Sequence, residues 1–417
     1  MSQGINNGSA FCRFCGSPLH HTFVDLGMSP PCESYLSQEQ LNAMEPFYPL
    51  HVYVCDQCFL VQLEQYMSPE AIFCEYAYFS SYSDAWLQHA KYYTEMAVER
   101  FKLHGASQVV ELASNDGYLL QYFVQKGIPV LGVEPAANVA ISAIEKGVPT
   151  LVKFFGEELA REMVTEGKGA DLLIGNNVLA QVPDLNDFVQ GMKTFLKPGG
   201  VITMEFPHLM RLMEENQFDT IYHEHFSYFS FFSVEKIFAF HGLKIFDVEE
   251  LSTHGGSLRI YACHGDDTSK VAGNRVDELR ERELAAGVAD LGLYSSFDEK
   301  VKKTKRLLLD FLINAKGTGR SIAGYGAPGK GNTLLNYCGV RTDFIDYTVD
   351  RNPYKQGKYL PGTHIPIFHP DKVKETRPDY LLILPWNFKD EIIKQMSYIR
   401  DWGGQFVVPI PEAKVIG

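Results

Sequence analysis

The sequence contains no run of about 18 apolar residues and no basic segment leading into an apolar stretch near its start, so it offers neither a membrane span nor a secretion signal. A cytoplasmic chain without a membrane partner is expected. Positive charge is in deficit: 38 Lys and Arg face 51 Asp and Glu, a net charge of -13, which argues against a nucleic-acid partner. The zinc-protease spacing H-E-x-x-H is missing too, because a single residue separates His223 from His225. What the chain has in quantity is apolar material. At 45% of 417 residues it suffices for two to three globular cores. Nothing in the sequence decides the oligomeric state, and a monomer is compatible with it.

Cysteine is sparse but patterned. Cys12-Arg-Phe-Cys15 and Cys55-Asp-Gln-Cys58 each place two thiols on a tight turn, with 39 residues between the pairs. In a cytosolic chain two such knuckles point to one tetrahedral four-cysteine zinc site, closed and therefore structural. A redox dithiol is the alternative, but redox C-x-x-C motifs do not normally come as matched pairs. Few long periodic helices precede Tyr66, so the metal is expected to supply folding energy that a small core cannot. Cys32, Cys74, Cys263 and Cys338 have no ligand spacing and read as small buried hydrophobes.

Gln108-Val-Val-Glu-Leu-Ala-Ser-Asn-Asp-Gly117 is an apolar strand entering a small-residue turn and then a helix, the setting in which a nucleotide approaches free backbone N–H groups. Against an acidic-x-Gly-x-Gly-x-Gly pattern it reads Glu111-x-Ala113-x-Asn115-x-Gly117, so only the last glycine survives. A second strand, from Val130, ends in Glu134, where a carboxylate can accept from both ribose hydroxyls. A third, from Asp171, empties into Asn177 and is followed by a helix, Lys197-Pro-Gly-Gly200 and another strand. This order is the rhythm of methyltransferases that use S-adenosylmethionine (SAM), with ligands at the carboxyl ends of parallel strands. It assigns Glu111, Ala113, Asn115, Gly117, Glu134 and Asn177 to the cofactor.

Later, Gly324-Tyr-Gly326-Ala-Pro-Gly329-Lys330-Gly331-Asn332 fits G-x-G-x-x-G and nearly fits G-x-x-x-x-G-K-[ST]. Gly331 stands where the second pattern needs a hydroxyl for magnesium, which excludes an NTPase. Between a strand and a helix the loop still suits a pyrophosphate, with Lys330 as point charge and Asp350 as the ribose acid. A second Rossmann-like domain is therefore expected at the C-terminus.

Between these two regions lies Asp219-Thr-Ile-Tyr222-His223-Glu224-His225-Phe-Ser-Tyr228, four proton-moving groups flanked by aromatics. It reads as an acid/base centre, though a satisfied polar cluster or a metal-binding His-x-His is compatible with the spacing. Glu75 to Ser83, with Tyr76 and Tyr82, is a dense aromatic and hydroxyl stretch that could line a pocket or pack as a linker.

Taken in order, the paired C-x-x-C knuckles, Tyr78-Phe-Ser-Ser-Tyr-Ser83, Glu111-x-Ala-Ser-Asn-Asp-Gly117, Tyr222-His-Glu-His-Phe-Ser-Tyr228, His254-Gly-Gly-Ser-Leu-Arg259 and Gly324-Tyr-Gly-Ala-x-x-Lys-Gly-Asn332 resemble the SAM-dependent sugar C-3 methyltransferases of deoxysugar biosynthesis, tetronitrose-pathway members among them. The resemblance spans nearly the whole chain. It implies an α/β protein with a small N-terminal four-cysteine zinc domain (1–74), a central Rossmann-like class I SAM methyltransferase domain (75–273) and a second Rossmann-like, sugar-nucleotide-binding domain (274–417). It further implies a nucleotide-diphosphate-linked 4-keto-6-deoxyhexose as substrate, usually with dTDP, held through Gly324, Gly326, Lys330, Asn332 and Asp350 and methylated at C-3. His225 corresponds to the family's base, with Tyr222, Glu224 and Tyr76 beside it. The chemistry agrees: a 4-keto group acidifies the C-3 hydrogen, a base near neutrality removes it, and a donor such as Tyr222 holds the enolate oxygen. Glu224 is expected to orient or charge a neighbouring imidazole. One departure is Gln181, where the family pattern carries His; Gln cannot take a proton near neutral pH. An O- or N-methyltransferase acting on another acceptor is the alternative.

Overall fold

The computed structural model of the protein describes residues 10–73 and 79–416, and Tyr76 lies outside the described residues. Packing divides the chain into two units, each gathered from separated stretches: Met1–His20, Cys55–Leu209 and Phe226–Leu291 form one, and His21–Val54, Met210–His225 and Gly292–Gly417 the other. The boundaries expected at 74/75 and 273/274 follow chain order, whereas these units interleave.

In the first unit seven strands make one sheet: β1 (Val109–Leu112), β2 (Val130–Val133), β3 (Thr150–Leu151), β4 (Ala170–Asn176), β5 (Leu196–Pro207), β6 (Leu243–Leu251) and β7 (Ser257–His264), in the order β6-β7-β5-β4-β1-β2-β3. The first five run parallel, and β7 joins β5 antiparallel with β6 outside it. β1 is buried at all four positions, as a parallel strand covered on both faces must be, and so it reads as an unbroken apolar run apart from Glu111. Strand order reverses between β1 and β4, so their carboxyl ends open the crevice where ligands of such sheets gather.

Helix α1 (Asp84–Phe101) starts where the Ser83 hydroxyl accepts from the Trp86 N–H and stops at Lys102 in the left-handed region. Its Ala90, Tyr93 and Ala97 stripe enters the core with Val109, Leu172 and Tyr261, each large side chain contributing roughly 1.5–3 kcal/mol.

The second unit carries a six-stranded sheet: β8 (Ile322–Tyr325), β9 (Thr348–Val349), β10 (Ile367–Phe368), β11 (Tyr380–Ile383), β12 (Gln405–Val408) and β13 (Lys414–Ile416), ordered β10-β9-β8-β11-β12-β13. All neighbours are parallel except β12 and β13, and the order reverses between β8 and β11. Helix α2 (Phe297–Gly317) buries Val301, Thr304, Leu308 and Leu312. Leu307 sits about 100° off that stripe and is exposed. An N-terminal hairpin, His21–Ser29 against Tyr48–Val54, packs here as well, with Phe23 stacked on Phe297 at 4.6 Å. Helix α3 (Gly329–Cys338) follows β8 directly and ends at Gly339.

Candidate functional site

The two cysteine knuckles meet in the first unit. All four sulfurs lie within 4.8 Å of one another, Cys12 with Cys58 and Cys15 with Cys55 at 3.5 Å. A tetrahedron of sulfurs about 2.3 Å from zinc has edges of about 3.8 Å, so the donor set fits that ion. Gln62 Nε2 donates to Cys12 Sγ at 3.2 Å and the Gln57 N–H to Cys55 Sγ at 3.4 Å, which suits thiolates. The first knuckle is fastened to the sheet unit by the Asn186 side chain, which donates to the Phe14 carbonyl at 2.9 Å.

At the carboxyl end of β1 the turn keeps a glycine-loop backbone without its glycines. Ala113, Asn115 and Gly117 have φ of 56°, 49° and 75°, alternating through the left-handed region that the lost pattern would supply. Asn tolerates that region through local hydrogen bonding, while Ala carries a cost of roughly 1–2 kcal/mol. The strain is held from two sides. Glu134, at the end of β2, accepts from the N–H of Asn115 at 2.9 Å and of Ala136 at 2.8 Å. Asn115 Oδ1 accepts from the Ser80 N–H at 2.9 Å, and Lys146 donates to Ser81 and to Asp116. Thus the described part of the aromatic stretch, from Phe79 on, packs against this loop.

Glu111 lies under the loop, 0% exposed. Burial, with Glu134 and Asp116 adding to it, raises its pKa well above the usual carboxylate range. Asn177, at φ 57° just past β4, donates through Nδ2 to His254 Nε2 at 3.1 Å, and Trp86 lies 5.2 Å from the His254 ring and stacks on Tyr118. Thr253 Oγ1, His89 and Arg259 converge on the buried Glu205 at the end of β5. Sequence reading passed over Trp86, His89 and Glu205; an aromatic at the first turn of a helix carries no signal of what it faces. Gln181 is half-buried in the short turn after Asn177.

Tyr222, His223, Glu224 and His225 belong to the second unit, fastened to the switch point of its sheet. Asp219 Oδ2 accepts from Trp386 Nε1 at 2.7 Å, just beyond β11, and Thr333 Oγ1 of α3 donates to the Ile221 carbonyl at 2.9 Å. The chain then turns, the His225 N–H bonding the Tyr222 carbonyl at 2.9 Å, which brings the two rings to 4.1 Å.

His225 Nδ1 is 2.9 Å from the Thr220 carbonyl. A carbonyl only accepts, so Nδ1 carries the proton and Nε2 the lone pair. Burial, with the Lys330 charge adding to it, lowers the imidazole to about 4. A base near neutrality was the expectation; instead the group is wholly unprotonated at neutral pH, and intrinsically weaker.

His223 points the other way. Its Nε2 donates to the Pro49 carbonyl at 3.2 Å and its ring meets Tyr48 edge-on, a packing role. Glu224 Oε1 accepts from the Cys32 thiol at 3.6 Å. Cys32, taken from its spacing as a hydrophobe, is buried but also polar in use, and burial ahead of Glu224 raises its pKa.

The glycines in and just after β8 are crowded by protein. A Cβ on Gly324 would lie 2.8 Å from Thr348 Oγ1, one on Gly326 2.5 Å from Pro385 Cδ and one on Gly329 2.9 Å from Cys32 Sγ. Asn332 is buried and donates to the Cys32 carbonyl. Asp350 Oδ2 accepts from the Ala327 N–H at 2.7 Å, while Tyr35 and Lys355 donate to the Ala327 carbonyl. Lys330 leans across the switch point: Nζ donates to Asn387 Oδ1 at 2.9 Å and lies 4.6 Å from the Trp386 ring centre.

Three family models match in succession: a zinc binding domain over residues 12–73, a methyltransferase domain over 84–248 and a C-methyltransferase C-terminal domain over 252–411. The C-methyltransferase NovU of Streptomyces niveus is 36% identical over 405 residues, covering 97% of this chain and 96% of that protein. Among solved structures, the PH0226 protein of Pyrococcus horikoshii matches 48% of this chain and 99% of its own at 17% identity and a TM-score of 0.38. The magnesium protoporphyrin IX methyltransferase of Synechocystis, with bound SAM, matches 42% of this chain and 78% of its own at 16% identity and a TM-score of 0.33.

Proposed function

The chain belongs to the C-methyltransferase family, and from that premise we propose that it methylates C-3' of a nucleotide-diphosphate-linked 4-keto-6-deoxyhexose, with dTDP as the nucleotide, through an enolate made by His225. SAM, the cofactor, supplies an electrophilic methyl group. The observation that carries the reading is the fixed tautomer: the Thr220 carbonyl holds the Nδ1 proton, so Nε2 presents a lone pair. A carbon nucleophile requires such a group, whereas transfer to oxygen or nitrogen does not need a base for a C–H bond.

The donor side is the strained turn after β1, where Ala113, Asn115 and Gly117 let the cofactor approach the backbone and Glu134 has lone pairs left for ribose hydroxyls. Asn177 borders it, and Glu111 supports it from below. On the acceptor side Gly324, Gly326, Asn332 and Asp350 shape the loop that receives the sugar nucleotide. His225 Nε2 takes the C-3 proton, the C–H electron pair forms the C-3–C-4 double bond, and the carbonyl electrons move onto oxygen. Tyr222, 4.1 Å from the imidazole ring to ring, donates to that oxygen. Glu224 accepts from Cys32 and so braces the segment. The four cysteines would hold a structural zinc.

The test is exchange and transfer. With a dTDP-4-keto-6-deoxysugar in deuterated water the protein should wash out the C-3 hydrogen, and with SAM it should add one methyl on carbon. His225→Gln should lower both by about 10²–10⁴-fold. Because the neutral imidazole is the active form, kcat/KM should hold from neutrality downward and fall as pH drops through about 4. A methyl found on oxygen or nitrogen would refute the enolate.

A further inference from the structure

Lys330 fits the diphosphate role of its motif only by sequence position. Its side chain does not stay with the loop: it crosses from the turn after β8 to the turn after β11, donating to Asn387 and lying over the Trp386 ring. Trp386 in turn donates to Asp219, which is 0% exposed and opens the segment carrying Tyr222 and His225. The Asp219 Oδ1 atom is buried with no hydrogen-bond partner among the described residues. A fully buried carboxyl is costly unless a cation stands close, and Lys330 is the cation whose charge acts on it. The same ammonium acts on His225. The charge of one lysine thus acts on both the acid that anchors the segment and the imidazole at its end.

We propose that Lys330 is a charged member of the acid/base centre, held at the sheet's switch point by Asn387 and by Trp386, which is itself bonded to Asp219, where its ammonium stabilises the enolate oxygen, and that it is not the clamp for the diphosphate. The inference rests on His225 being the base. It answers a difficulty in that reading, since an imidazole as weak as this one needs the enolate to be strongly stabilised. Among the described titratable groups, Tyr222 lies with its ring 4.1 Å from that of His225 and Lys330 acts on it by charge, while Glu224 precedes it in the chain and Asp219 opens its segment. Of these, Lys330 is the positive one.

The full-length protein decides it through Lys330→Met, with Lys330→Arg as the variant that keeps the charge. In K330M the His225 imidazole, followed by NMR and identified by its loss in His225→Gln, should titrate about one unit higher, the low end of what removing a neighbouring like charge does. The affinity for dTDP alone should stay within about twofold, and C-3 exchange should fall by tenfold or more. K330R should keep the wild-type titration. An unmoved titration, or a tenfold loss of dTDP affinity with exchange per bound enzyme unchanged, would overturn the proposal. If the wild-type protein exchanges no hydrogen at C-3, the proposed function fails instead, and the titration and dTDP readouts still decide where Lys330 acts.

Discussion

The turn after β1 and the turn after β8 follow one plan: strand, tight turn, helix, and a carboxylate at the end of the next strand accepting from the turn's own N–H. Glu134 does this for Asn115, and Asp350 for Ala327. Their use of glycine is opposite. The first turn has lost two of its three pattern glycines yet keeps left-handed backbone at Ala113 and Asn115. The second has every glycine of its pattern, and each one meets Thr348, Pro385 or Cys32 rather than open space. A glycine pattern therefore reports that something comes close to the backbone, and says nothing about whether that is a ligand or another part of the chain. The donor turn is shaped chiefly by dihedral angle at Ala113 and Asn115, although its one glycine, Gly117, would also bring a Cβ to 3.0 Å from Val148, and the acceptor turn chiefly by crowding.

The comparison breaks most readily at Gly326. With φ at 90° and Pro385 Cδ 2.5 Å from the position of a Cβ, Gly326→Ala should cost about 2–5 kcal/mol in urea unfolding, strain and overpacking together. Wild-type stability with weakened dTDP binding would instead make this a ligand glycine.

Next in size are the two carboxylates. Glu134→Gln should weaken SAM binding by about tenfold in calorimetry, because a charge-assisted acceptor of two N–H groups is lost, and leave dTDP affinity alone. Asp350→Asn should weaken dTDP binding by only about twofold, since Tyr35 and Lys355 also hold Ala327. Equal effects at the two sites would erase the distinction between a turn held by few contacts and one held by many.

The smallest effect is expected at Ala113→Gly. Relief of left-handed strain, roughly 1–2 kcal/mol, slightly exceeds the entropic cost of glycine, roughly 0.5–1 kcal/mol, so the thermal midpoint should stay level or rise. A clear fall would show that Ala113 is not strained.

Much of this was legible in the chain. Apolar runs ending in Glu134, Asn177 and Asp350 announce parallel strands because such strands are buried on both faces, and paired C-x-x-C knuckles announce one four-sulfur cluster because few other arrangements satisfy them. The Tyr222–His225 stretch stood out for its chemistry, but its surroundings did not. Trp386 and Cys32 lie 161 and 193 residues from His225 in sequence, and no local pattern tells an indole that bonds a carboxyl from one that fills a core.

By itself, then, the sequence determined the residue types available for chemistry and the order of the strands, since both depend on local pattern and periodicity. Which nitrogen of His225 carries the proton, how low its pKa falls, which histidine is packing and where Lys330 reaches were decided only by the tertiary structure. These depend on burial and on partners brought together from distant parts of the chain, and desolvation and Coulomb forces act through space rather than along the backbone.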